Sequence, residues 1–110
     1  MRSMVISRFD VVLVNLDPTV GSKVRKTRPC AVISPDEMNR QLNTIIVAPM
    51  TSTSKSYSSR VEVQSGDRVG WVMLDQVRAI DRQRVVKVLG VLSTDESNKV
   101  RQVIREFFVD

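Results

Sequence analysis

Hydrophobic positions along the chain fall in short runs that are rich in valine. Branched side chains such as valine and isoleucine favour extended strands over helices. Turn-forming residues, among them Pro35 and the group Ser65-Gly66-Asp67, separate the runs. The pattern predicts short strands, of which the fifth and sixth are either separate or one bent strand. They cover Phe9–Leu16, Arg28–Ser34, Asn43–Met50, Arg60–Gln64, Trp71–Gln76, Val77–Asp81 and Val85–Leu92.

The end of the chain changes to a helical period. Apolar residues there repeat every three or four positions, which places them on one helical face. Ser93 followed by Glu96 matches a capping box at the start of a helix. A further short helical turn is predicted over Asp36–Gln41. The apolar face of the final helix comprises Val100, Val103, Ile104, Phe107 and Phe108.

These elements predict one domain, residues 1–110, that is mainly β with a C-terminal helix. The length of 110 residues is that of a single domain. The connections between strands are too short for the crossover helices that parallel strands need. We therefore expect a small antiparallel β-barrel or sandwich whose open side is closed by the helix.

Composition removes several kinds of chemistry. The chain has no histidine and a single cysteine, Cys30. Ser-His-Asp and Cys-His catalysis, an internal disulfide and a cysteine-based zinc site are therefore excluded. Cys30 lies in a valine-rich strand and is expected to be a small core residue. No metal or cofactor is expected.

Charge and hydropathy indicate the setting and the partner. Seventeen Lys and Arg against 12 Asp and Glu give a net charge of +5, which favours a polyanionic partner. The apolar runs are far shorter than the roughly 20 residues that span a membrane. We expect no membrane span, no secretory leader and a cytoplasmic location.

Four segments, taken in order, closely resemble the MazF/PemK/Kid toxin family. Each is weak alone, but their order and spacing match over nearly the whole chain from about Phe9 onward. The segments are Asn15–Ser22 (NLDPTVGS), Arg28–Pro35 (RPCAVISP), Ala48–Ser52 (APMTS) and Leu74–Asp81 (LDQVRAID).

The resemblance implies a PemK-like, SH3-like barrel and a homodimer. It implies a metal-independent endoribonuclease that cuts single-stranded RNA at short sequences, as the toxin of a type II toxin–antitoxin system. A cognate MazE-like antitoxin with an acidic C-terminal segment would inhibit it. Operator DNA would be bound only as a complex with that antitoxin.

The resemblance also carries over site residues. The catalytic Arg of the family falls on Arg28, its catalytic Thr or Ser on Thr51, and its motif Asp on Asp75. Ser52 beside Thr51 and Gln76 beside Asp75 are implied to contact the substrate. An Arg that serves as an acid in the Kid branch is replaced here by Met73, so that acid role is absent.

Two basic groups are candidates for binding RNA phosphates. Lys23, Arg25 and Lys26 precede Arg28, and Lys23 stands where the family has a Glu. Arg78, Arg82 and Arg84 form the second group. Either group is also a candidate site for the acidic antitoxin.

RNA carries its own nucleophile, the 2′-hydroxyl. Without histidine or metal, cleavage relies on positioning and charge stabilisation. Arg28 can grip phosphate oxygens through its planar fork, and Thr51 can orient the reacting groups. Asp75 is either a proton acceptor or a structural acceptor for loop amides. A non-catalytic toxin that binds a protein target such as gyrase, and a plain RNA-binding module, remain alternatives.

Overall fold

The computed structural model describes residues 4–16, 26–65 and 68–109. The predicted loop cations Lys23 and Arg25 lie outside these ranges. The strands are β1 (Asp10–Asn15), β2 (Thr27–Val32), β3 (Thr44–Thr51), β4 (Arg60–Ser65), β5 (Arg68–Met73), β6 (Arg78–Asp81) and β7 (Val85–Val91). The helices are α1 (Asp36–Gln41) and α2 (Thr94–Phe108), with 3₁₀ turns at Leu74–Gln76 and Arg82–Arg84.

Strand β3 is the centre of the sheet. In the described part of the chain the seven strands run in the order β4-β5-β3-β2-β1-β7, with β6 also paired to β3, and every pairing is antiparallel. One edge of β3 pairs with β2. The other edge pairs first with β6 and then, at Met50 and Thr51, with β5. The predicted mainly β, antiparallel fold with a C-terminal helix is confirmed.

The centre of the sheet is buried on both faces, because successive side chains of β3 and of the second half of β2 alternate between two apolar clusters. Cys30 and Val47 belong to the cluster enclosed by β1, β2, β3, β6 and β7. Ala31 and Ala48, one position along, belong to the cluster between the other face and α2. Burial on both sides explains why Cys30–Val32 of β2 and most of β3 are runs of apolar residues and not alternating ones.

Helix α2 begins as predicted and covers less of the sheet than predicted. The Ser93 hydroxyl accepts from the Glu96 amide at 3.1 Å, and Glu96 Oε1 accepts from the Ser93 amide at 2.9 Å, which completes the capping box. Val100 is fully buried, with Val103 and Ile104 packed beside it. The prediction that Phe107 and Phe108 also pack on the sheet is wrong, since they are 50% and 61% exposed.

The predicted end of the fifth strand changes where the chain bends. Strand β5 ends at Met73 and a 3₁₀ turn follows, so Leu74–Gln76 is not extended as the run Trp71–Gln76 suggested. Strands β5 and β6 are therefore separate, and both pair with β3. No helix within the described ranges has both the length and the apolarity needed to cross a membrane.

Candidate active site

Arg28 and Thr51 lie on the same face of neighbouring strands. Cys30 pairs with Pro49 across β2 and β3. Arg28 lies two residues before Cys30 and Thr51 two residues after Pro49, and side chains two residues apart on a strand share a face of the sheet. The sheet therefore brings the predicted catalytic Arg and Thr together, although 22 positions separate them in sequence.

Arg78 joins this face from the other edge of β3. It pairs directly with Val47, which shares the face of Pro49 and Thr51. Burial raises the pKa of the Cys30 thiol to about 11, and the charges of Arg28 and Arg78 both act against that rise. Both cations are exposed. They therefore create a positive potential on one sheet face, on either side of β3.

Within the part of the chain that the structure describes, no neighbouring carboxylate neutralises Arg28 or Arg78. Within residues 4–16, 26–65 and 68–109, neither guanidinium forms an ion pair or a hydrogen bond. An exposed, unpaired guanidinium is available to bind a phosphate through two parallel hydrogen bonds. The remaining member of the first basic group in the described chain, Lys26, is exposed beside Arg28.

Asp75 lies in the 3₁₀ turn after β5 and is held by Arg60 of β4. Arg60 Nε donates to Asp75 Oδ1 at 3.1 Å, and Nη2 donates to Oδ2 at 3.3 Å. The Ser59 hydroxyl adds a third hydrogen bond to Oδ1 at 3.1 Å. The hydrogen bonds from Arg60 are the main cause that lowers the pKa of Asp75. A carboxylate held in this way is a poor proton acceptor near neutral pH.

Arg60 also organises the polar loop between β3 and β4. Its Nη1 donates to the Ser54 hydroxyl at 2.9 Å, and its guanidinium carbon lies 4.9 Å from the centre of the Tyr57 ring. One guanidinium thus links the loop to the 3₁₀ turn through Asp75. This side chain is only 17% exposed, although it lies at the surface.

The Thr51 hydroxyl closes the first turn of the same loop. It donates to the Thr53 carbonyl at 3.0 Å and accepts from the Thr53 amide at 3.3 Å. This local pairing fixes the direction of the side chain at the end of β3. Ser52 and Gln76, the predicted substrate contacts, are both exposed.

Two members of the second basic group serve the fold. Arg82 donates to the carbonyls of Met4 at 2.9 Å and of Asn39, and so ties the N-terminal segment to α1. Arg84 donates to the carbonyl of Asn15 at 3.2 Å. Of this group, Arg78 alone is presented on the same face as Arg28, while Arg82 and Arg84 are occupied elsewhere.

From the sequence alone, Arg60 is only the first residue of a predicted strand. The missing signal is the pairing of β4 with β5, in which Ser65 stands opposite Arg68. That register pairs Arg60 with Met73, two residues before Asp75. Met73 itself is 4% exposed, so the position that carries an acid in the Kid branch is buried here.

Comparisons with known proteins identify the family. Residues 7–108 match the family model described as PemK-like, MazF-like toxin of type II toxin–antitoxin system. The chain is 32% identical over 108 residues to endoribonuclease EndoA of Bacillus subtilis, with 93% of each chain covered. It is 31% identical over 96 residues to the endoribonuclease toxin MazF of Escherichia coli, with 86% of each covered.

Solved structures agree with the sequence relatives. A MazE-MazF crystal structure from Deinococcus radiodurans superposes with a TM-score of 0.80 at 26% identity and covers 94% of this chain and 96% of that one. A mycobacterial endoribonuclease in complex with its cognate antitoxin has the same fold, with a TM-score of 0.79 at 18% identity and 92% of each chain covered. The chain therefore belongs to the PemK-like, MazF-like family of type II toxins.

Proposed function

We propose that the protein is the toxin of a type II toxin–antitoxin pair and an endoribonuclease that cleaves single-stranded RNA at short sequences, which stops translation and growth. The single observation that carries the proposal is that Arg28 and Thr51 lie on one face of the neighbouring strands β2 and β3, with Arg78 on the same face. The named endoribonucleases among the relatives support the same activity.

In the proposed mechanism the RNA 2′-hydroxyl attacks the adjacent phosphorus. The new bond forms between the 2′-oxygen and phosphorus, and the bond to the leaving 5′-oxygen breaks. The products are a 2′,3′-cyclic phosphate and a 5′-hydroxyl. Arg28 binds the non-bridging oxygens and stabilises the charge that grows on them in the transition state. Thr51 orients the reacting ribose or phosphate through its hydroxyl.

The proton steps are assigned to water. Asp75 is committed to Arg60, so it acts as an anchor in this scheme and not as the base. The catalytic effect then comes from positioning and charge stabilisation, which are the large contributions in phosphodiester chemistry that needs no external nucleophile. No metal is assigned a role, and no group of three His, Cys, Asp or Glu side chains that could hold a metal occurs in the described ranges.

A cleavage assay on long, end-labelled RNA in the presence of a chelator tests the proposal. We expect cleavage at a recurring short sequence, with cyclic-phosphate and 5′-hydroxyl ends. Arg28→Ala should lower the rate about 10²–10³-fold, the usual cost of losing one electrostatic donor at the transition state. Strict dependence on added Mg²⁺, or near wild-type cleavage by folded Arg28→Ala, would refute the mechanism.

The proposed partners are an antitoxin with an acidic inhibitory segment and a second copy of this chain. The relatives include a toxin in complex with its cognate antitoxin. Exposed apolar side chains of β7 support a homodimer, because large apolar patches on a small protein are commonly interfaces. The side chains are those of Val86, Val88, Leu89 and Val91. Light scattering of wild type and Val91→Glu tests the dimer.

Family membership does not favour the gyrase-binding alternative. We place the action in the cytoplasm, where the mRNA substrate is translated. Contact with operator DNA is proposed only for the complex with antitoxin. A folded protein that inhibits gyrase and leaves RNA intact would reverse this choice.

A further inference from the structure

Tyr57 is an exposed aromatic side chain whose surroundings hold its ring in place. The residue is 51% exposed in the loop between β3 and β4. Its carbonyl accepts from the Arg60 amide at 3.0 Å, and its amide donates to the Lys55 carbonyl at 2.8 Å. These backbone bonds fix the chain on both sides of the ring.

Arg60 supports the ring from one side. Its guanidinium carbon lies 4.9 Å from the ring centre, within cation–π distance. The guanidinium is itself held by Asp75 and by the Ser54 hydroxyl. Tyr57 is therefore a rigid platform. Because its ring is already ordered in the free protein, binding of a ligand does not carry the entropy cost of ordering it.

The platform lies beside the face that carries Arg28 and Thr51. Thr51 pairs with Trp71, and Trp71 pairs with Glu62. Arg60 lies two residues before Glu62 on β4 and therefore shares its face. The usual sheet spacings place the Cα atoms of Thr51 and Arg60 about 12 Å apart. A short single strand with its reacting phosphate at Arg28 and Thr51 spans that distance.

We propose that the Tyr57 ring, backed by Arg60, is a stacking site for an unpaired base of the RNA next to the cleaved bond. Every nucleobase presents a π face, and single-stranded RNA is commonly bound by stacking its bases on aromatic side chains. The site takes a base and not a phosphate, because its cation is already neutralised by Asp75. The inference rests on the proposed action on single-stranded RNA.

The test uses 2′-O-methyl RNA, which lacks the nucleophile and remains intact during a binding measurement. One strand carries mixed bases, and a matched strand of equal length is abasic. Tyr57→Leu should bind the base-bearing strand about tenfold more weakly, the usual loss for one stacked base. It should bind the abasic strand as wild type does, with an unchanged salt dependence, since no phosphate contact is lost. Tyr57→Phe, which keeps the ring, should match wild type on both strands.

Further variants separate stacking from other roles. Arg60→Gln should weaken binding of the base-bearing strand more than binding of the abasic strand, because it removes the support of the ring and also leaves the Asp75 charge unpaired. Leu42→Ala, at a residue that is 50% exposed in another part of the surface, should change neither affinity. If thermal unfolding shows that Tyr57→Leu is unfolded, Tyr57→Trp is measured in its place. Its larger ring should bind the base-bearing strand more tightly than wild type does.

Specific results would overturn the platform. They are wild-type affinity in folded Tyr57→Leu, an equal loss on both strands, or no gain in Tyr57→Trp. Wild-type protein that binds the base-bearing strand through Tyr57 but leaves ordinary RNA uncut would refute the nuclease proposal and keep the platform. Cleavage of ordinary RNA at wild-type rate and affinity by Tyr57→Leu would do the reverse.

Discussion

The substitution Asp75→Asn distinguishes an anchor from a general base. Asparagine keeps the size of the side chain and one oxygen that can accept from Arg60 Nε and from the Ser59 hydroxyl. It removes the negative charge. It also removes the second acceptor, Oδ2, which in the wild type accepts from Arg60 Nη2 at 3.3 Å. The two roles predict losses of very different size, so one variant decides between them.

The anchor role predicts small losses. Asp75 is 37% exposed and Arg60 is 17% exposed, so solvent screens the pair. Ion pairs at the surface contribute about 0–1 kcal/mol. We therefore expect Asp75→Asn to lower the free energy of unfolding by about 1 kcal/mol or less, and the cleavage rate by less than tenfold. Loss of a general base would instead cost about 10²–10⁴ in rate.

Single-turnover cleavage at saturating RNA, followed from about pH 3 to pH 8, measures the difference. Because Arg60 lowers the folded-state pKa of Asp75, the stabilisation is present above the unfolded pKa of about 3.9 and is lost as the pH falls through the lower folded value. Wild type and Asp75→Asn should therefore have the same pH dependence of rate above about pH 5. A loss of 10² or more, together with loss of an acidic limb seen in wild type, would show that Asp75 is the base.

Three other perturbations test separate parts of the site and fold. Thr51→Ala should lower the single-turnover cleavage rate more than it lowers RNA affinity, and Ser52→Ala should lower the rate less. Thr51→Ser should retain most of the rate because it keeps the hydroxyl. A wild-type cleavage rate in Thr51→Ala would remove Thr51 from the site. Neutralising Lys23, Arg25 and Lys26 together should lower RNA affinity and flatten its salt dependence by roughly 0.7 per lost phosphate contact, with an unchanged saturating rate, and an unchanged salt slope would refute this role. Ser93→Ala should lower the unfolding free energy by about 1 kcal/mol through loss of the cap, while wild-type-like thermal stability at matched concentration would contradict the capping argument.

The features that local chemistry dictates were predictable from the sequence. Valine-rich runs gave the strands, and Ser93 with Glu96 gave the start of α2. The end of β5 was not predictable in this way, because the apolar character of Met73 and Leu74 runs on through the bend. The bend is needed so that β5 and β6 can both pair with the same edge of β3, which is a requirement of the whole sheet.

The other features that the sequence did not predict depend on pairing between strands that are distant in the chain. The resemblance to a family pointed to Arg28, Thr51 and Asp75 separately, but the partner of Asp75 depends on the hairpin register of β4 and β5. Similarly, Arg78, Arg82 and Arg84 look equivalent in a charge pattern. In the folded chain, Arg82 and Arg84 donate hydrogen bonds to backbone carbonyls, whereas Arg78 lies on the face that it shares with Arg28.

The different surroundings of the arginines imply a division of roles across one sheet face. Arg60 is neutralised by Asp75, so an approaching RNA gains little from its charge and more from the ring that it supports. Arg28 and Arg78 have no such partner in the described chain, and their potential extends to the buried thiol of Cys30. In the proposed function, a polyanion would therefore be drawn to the β2, β3 and β6 side of the face, where Thr51 lies, while its bases would extend toward β4. The phosphate and the base would then be held in separate places on one sheet face.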